Sequence, residues 1–142
     1  MKKSNAHAVW NGTLKEGDGK VKLPSTGYEA PYTFSSRFES GQGTNPEELI
    51  GAALAGCFSM ALSLGVSEAG YKPGIIDTNA EVILVEADGG FVIDEIILHT
   101  NAQIEGISHD EFQKIAEDTK VNCPVSQALK SVNKINLQAA LV

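Results

Sequence analysis

The hydrophobic pattern along this 142-residue chain changes period several times, and each change predicts an element. Ala6-His7-Ala8-Val9-Trp10 predicts a strand closed by an Asn11-Gly12 turn. Residues 17–23 alternate around Gly17-Asp18-Gly19 and predict a second strand. Tyr32-Thr33-Phe34-Ser35-Ser36-Arg37-Phe38 alternates aromatic with polar residues, which predicts positions near a sheet for Tyr32, Phe34 and Phe38, with Arg37 opposite at least some of them. Glu39 to Gly43 predicts a flexible loop. A long helix then opens at Asn45, its N-cap, with Pro46 in the first turn and Glu47 and Glu48 at the positive end of its dipole. It is expected to run to about residue 69 and to stop at Gly70. Residues 75–86 and 91–104 predict two long strands joined by Asp88-Gly89-Gly90. Ser108-His109-Asp110-Glu111 has the form of a capping box and predicts a helix through about Asn122. A short helix follows Pro124, and residues 132–141 predict a last strand. The sum is an α+β fold with a mostly antiparallel sheet, in one domain over residues 1–142.

Composition narrows the function. With 42% hydrophobic residues the chain has material for a core, and disorder is not expected. The formal net charge of −7 argues against nucleic-acid or anionic-membrane partners, because no dense Lys/Arg patch displaces counterions. Met1-Lys2-Lys3 resembles a signal-peptide start, but Ser4-Asn5-Ala6-His7-Ala8 supplies no apolar segment after it. The apolar run at residues 49–66, rich in Ala and Gly, reads as a buried helix and not a membrane span. A cytoplasmic location is expected, where disulfides are usually transient and catalytic.

Two cysteines carry the candidate chemistry. Cys123 precedes Pro124, which places it as an N-cap; amides beyond it could donate to a thiolate. Cys57 lies among small apolar residues about three turns into the long helix, where burial raises a thiol pKa and the dipole has faded. A reactive Cys57 therefore needs a cation from elsewhere, and Arg37 is the candidate, with Glu47 or Glu48 as its carboxylate partner. Glu47 and Cys57 are roughly 15 Å apart along one straight helix. Either the helix breaks near Gly51 or the carboxylate comes from a second subunit, and a two-fold dimer with shared sites is the preferred expectation. Bland readings stand beside these: a small core residue for Cys57, a simple cap for Cys123, a solvated face for Arg37, and dipole partners for Glu47 and Glu48. His7, His99 and His109 have no metal-site spacing with the cysteines, and neither a glycine-rich nucleotide motif nor CxxC is present.

With these residues in place the chain resembles the OsmC/Ohr family, the osmotically inducible and organic hydroperoxide resistance proteins, and the OsmC branch in particular. The resemblance rests on Arg37-Phe38-Glu39, on Gly43-Thr44-Asn45-Pro46-Glu47-Glu48, on Cys57-Phe58-Ser59-Met60, and on Asn122-Cys123-Pro124-Val125-Ser126. It implies mostly antiparallel sheets wrapped around central helices in an intertwined homodimer. It implies a thiol-dependent peroxidase that reduces organic hydroperoxides, and hydrogen peroxide more weakly. In that reading Cys57 is the peroxidatic cysteine, Cys123 resolves it as a disulfide, Arg37 stabilises the thiolate, and Glu47 holds Arg37. No metal, haem or flavin is implied; an external dithiol regenerates the thiols, and a lipoyl-type dithiol is the one the Ohr branch suggests. The competing expectation is a dimer that binds a small ligand or senses redox state without turnover. A third is a structural dimer whose thiols merely pack.

Overall fold

A computed structural model describes all residues, Met1–Val142. The chain divides into two compact units, Met1–Leu49 and Ile50–Val142. In the first, β1 (His7–Asn11), β2 (Asp18–Leu23) and β3 (Tyr28–Thr33) form an antiparallel meander with β2 in the middle. Gly19 on β2 stands opposite both Trp10 and Tyr32. A Cβ at position 19 would come within 2.6 Å of the Tyr32 ring and 2.9 Å of the Trp10 ring. The glycine therefore makes room for these two rings to lean together, centroids 5.2 Å apart, over the middle strand.

The sheet ends one turn earlier than the aromatic alternation predicts. Phe34–Phe38 is a short helix, α1, and not a strand. The reason is a local capping box: Thr33 Oγ1 accepts from the Ser36 amide at 3.1 Å, and Ser36 Oγ accepts from the Thr33 amide at 2.9 Å. Helical spacing then puts Phe34 and Phe38 on one face, with ring centroids 4.9 Å apart. It also brings Arg37 into the last turn of α1.

The long helix α2 (Pro46–Glu68) starts as its sequence predicts, with Asn45 Oδ1 accepting from the Glu48 amide at 2.8 Å. It ends before Gly70, which has φ +92°. No break occurs at Gly51. That glycine is buried, and a Cβ there would lie 3.3 Å from Val82 Cγ2 and 3.4 Å from the Ala80 carbonyl. It permits close approach of helix to strand rather than a kink.

In the second unit, β4 (Pro73–Ala87) and β5 (Gly90–Ile104) make a long hairpin, and β6 (Lys134–Leu141) runs parallel to β5. Helices α3 (His109–Asn122) and α4 (Pro124–Ala128) form the crossover that a parallel neighbour requires. Three of the four strand pairings in the chain are antiparallel, as expected for this α+β fold. Ile96, Leu98, Ala102 and Ile104 point from alternate positions of β5 into one core with Phe112 and Ala116 of α3. Leu54, Phe58, Leu62 and Val66 of α2, spaced by four, complete it.

The expectation of a buried α2 holds on that face only. Ala53, Gly56, Met60 and Leu64 lie on the other side of the helix and are exposed, Met60 at 77% and Leu64 at 59%. The helix is long and apolar enough to cross a bilayer by length and composition, with 28% of its most apolar window buried. Apolar residues all round a helix ask for cover on both sides, and within the chain only one side has it.

Candidate active site

Cys123 is the joint between α3 and α4. Its extended backbone, φ −62° and ψ 142°, ends one helix and caps the next, because Pro124 cannot continue α3 and suits the first position of α4. Its side chain is buried, at 2% exposure, and hydrogen-bonded. Sγ accepts from the Ser126 amide at 3.4 Å and lies 3.0 Å from Ser126 Oγ. The capping role read from the sequence is thus present, with a hydroxyl added that the sequence reading did not assign. The signal was available, since Ser126 occupies the third position after the cap, where a side chain turns back towards it.

Cys57 sits half-buried on α2 and packs against the core. Its thiol is pushed above the ordinary range, first by burial and further by the neighbouring Cys123. The nearby Val125 backbone pulls in the other direction. None of these influences is a cation. Both thiols are free, and both meet the start of α4, Cys57 near the Val125 backbone and Cys123 at the Ser126 amide.

The other candidate residues cluster in the first compact unit. Arg37 grips Glu47 through two nitrogens: Nη2 donates to Oε1 at 2.8 Å, and Nε lies 3.3 Å from both carboxylate oxygens. Glu47 is 7% exposed, and the guanidinium carbon lies 5.1 Å from the centre of the Phe38 ring. Glu48 has a different role, accepting from Thr44 Oγ1 at 2.7 Å and giving its amide to Asn45. Of the two glutamates that the sequence left open as partners of Arg37, Glu47 is the one engaged.

The structure therefore brings Cys57 to Cys123 and Arg37 to Glu47. No three His, Cys, Asp or Glu side chains converge closely enough to hold a metal ion. His7 and His99 lie on β1 and β5, and His109 opens α3, as their sequence settings predict.

Residues 39–138 match the family model described as OsmC-like protein. The chain is 48% identical over 138 residues to Peroxiredoxin OsmC of Escherichia coli K12, spanning 96% of this chain and 95% of that protein. It is 33% identical over 121 residues to Organic hydroperoxide resistance protein-like 2 of Staphylococcus epidermidis, with 80% of each chain covered. Among solved structures, an OsmC like protein from Mycoplasma pneumoniae superposes with a TM-score of 0.75 at 20% identity, covering 99% of this chain and 98% of that one.

Proposed function

This chain belongs to the OsmC family, and on that premise we propose that it reduces organic hydroperoxides at Cys57, with Cys123 as the resolving thiol and Arg37 and Glu47 as the electrostatic support. It is a cysteine-based peroxidase, the activity that kinship with a peroxiredoxin and with organic hydroperoxide resistance proteins supports. The observation that carries the residue assignment is the meeting of two free thiols at the start of α4.

The chemistry balances with these groups. The Cys57 thiolate attacks one peroxide oxygen, and the O–O bond breaks. The sulfur becomes a sulfenic acid, and the leaving oxygen takes a proton and departs as an alcohol. Arg37 favours the thiolate and the negative charge that develops on the leaving oxygen. Glu47 occupies Nε and Nη2 and leaves Nη1 to face the reacting group. The Cys123 sulfur then attacks the sulfenic sulfur, expelling water and closing a disulfide. An external dithiol, with a lipoyl group as the favoured type, restores both thiols by exchange.

In a single chain this site is electrostatically incomplete, because burial raises the Cys57 thiol and no cation offsets it. An unbroken α2 leaves Glu47 and Cys57 roughly 15 Å apart along the helix. The apolar face carrying Met60 and Leu64 is uncovered. A homodimer in which the second copy covers that face and brings its own Arg37–Glu47 pair to Cys57 answers all three observations. With a net charge of −7 and no basic patch in its sequence, the protein is expected to work as a soluble cytoplasmic enzyme.

Replacing the two thiols separately tests the assignment. Cys57→Ser is expected to abolish reduction of cumene hydroperoxide with dithiothreitol, a loss of about four orders of magnitude. Cys123→Ser is expected to complete one turnover and hold a sulfenic acid that dimedone traps. Turnover by Cys57→Ser would remove the assignment of the attacking sulfur.

A further inference from the structure

The two thiols that meet at the start of α4 differ first in access. Cys123 is 2% exposed, and Ser126 beside it is 3% exposed. The cysteine ends α3, caps α4 and belongs to the apolar core. A groove of about 440 Å³ between α2 and α3 touches Cys123 and Pro124, yet the cysteine keeps that low exposure. Attack on its sulfur from outside would require the two helices to part. Cys57 is only half-buried, and in the proposed reaction its sulfur is the one a peroxide must touch.

They differ next in what stands ready to receive a negative sulfur. The Ser126 amide donates to Cys123 Sγ at 3.4 Å, and Ser126 Oγ lies 3.0 Å from the same sulfur. Helix α4 has five residues, so these two donors, and not a long helix dipole, carry the effect. A thiolate expelled at Cys123 finds both donors in place before the bond breaks, which eases its departure.

We propose that the external dithiol attacks the Cys57 sulfur of the Cys57–Cys123 disulfide, and that Cys123 departs as a thiolate into the donor pair of Ser126. The inference rests on the reading above, in which these two cysteines close a disulfide. One thiolate of the reductant forms a bond to Cys57 Sγ as the bond between the two cysteines breaks. The electron pair of the broken bond goes to Cys123 Sγ, which then takes a proton from water. The second thiol of the reductant, deprotonated, attacks the reductant sulfur bonded to Cys57, closes a cyclic disulfide and expels Cys57 as a thiolate. The dithiol loses two electrons, and both cysteines return reduced. A guanidinium beside Cys57 would receive a thiolate there equally well, so charge alone does not choose the sulfur; access does. Peroxide and dithiol thus reach the same sulfur in turn, and Ser126 is a catalytic residue of the recycling step.

The probe is 2-mercaptoethanol, whose single thiol opens a disulfide but cannot complete the exchange within one molecule. Wild-type protein oxidised with one equivalent of cumene hydroperoxide is mixed with the probe for milliseconds. It is then quenched in acid with N-ethylmaleimide and mapped by peptide mass. At the earliest times the mercaptoethanol adduct is expected on Cys57, with Cys123 alkylated. An adduct on Cys123, with Cys57 alkylated, would overturn the proposal. Ser126→Ala is expected to slow reduction of the preformed disulfide by dithiothreitol about three- to ten-fold. An unchanged rate in that variant would overturn the part given to Ser126. A peptide map that shows no Cys57–Cys123 disulfide before the probe is added would instead remove the reading of the two thiols on which the proposal stands.

Discussion

The two compact units hold different candidate chemistry, and under the proposed function each is unfinished in a different way. The second unit gathers two sulfurs at the start of α4, with backbone groups to receive them but no cation. The first gathers a guanidinium clamped by a carboxylate beside aromatic rings, with no cysteine. A thiol without a cation is a poor nucleophile, and a paired guanidinium without a reacting group does nothing. On the proposed reading, neither the thiols nor the ion pair alone constitutes a peroxidase site, and assembly of the two is the functional event.

Removing the cationic half should therefore have the larger effect. Arg37→Gln is expected to lower kcat/KM for cumene hydroperoxide by about 10²–10³, the usual cost of losing a donor aimed at developing charge. Glu47→Gln should follow it with a smaller loss, because Arg37 then keeps its charge but loses its clamp. The pH dependence sharpens the point. Burial raises the Cys57 thiol, so without the cation the reactive thiolate appears only above the ordinary thiol range. In Arg37→Gln, alkylation of Cys57 by iodoacetamide should still be rising with pH where the wild type has levelled off. Superimposable pH profiles would show that Arg37 does not act on this sulfur.

A smaller effect is expected within the thiol half. Ser126 holds the Cys123 sulfur through its amide and lies 3.0 Å away through its hydroxyl. Ser126→Ala keeps the amide and removes the hydroxyl, a change of about 0.5–1.5 kcal/mol. The disulfide-forming step should slow by about three- to ten-fold while the first reaction with peroxide keeps its rate. Stopped-flow kinetics that follow sulfenic acid and disulfide separately would register the difference. A slowed first reaction with an unchanged second would contradict the role given to Ser126.

How far the sequence revealed these halves depends on how local their causes are. The start of α2 is written in four consecutive residues, Asn45 to Glu48, and the structure follows them. The cap at Cys123 is equally local, since Pro124 forbids α3 from continuing. The strand expected at Phe34–Phe38 failed for a local reason too. Aromatic alternation suggested a sheet, but the Thr33–Ser36 capping box satisfied the amides that open α1, and the chain turned into a helix. Gly51 was a candidate break because glycine lowers helix propensity, yet tertiary packing against Val82 uses it as a point of close approach. The encounter of Cys57 with Cys123 is not local. It depends on α2, the β4–β5 hairpin and α3 all packing on one core, so only the family resemblance could pair them in advance. The aromatic packing of the first unit was the least legible, because it comes from a glycine opposite two rings and a helix that the pattern had assigned to a strand.

The central claim, that the two halves meet between subunits, has a direct measurement. Arg37→Gln and Cys57→Ser chains, each nearly inactive alone, can be unfolded together, refolded together and assayed with cumene hydroperoxide. If each site takes its sulfur from one copy and its guanidinium from the other, every mixed dimer contains one intact site, and the mixture recovers a substantial fraction of wild-type activity. If a site takes both from the same copy, no mixed dimer contains an intact one, and a mixture shown to exchange subunits yet no more active than its components would contradict the account.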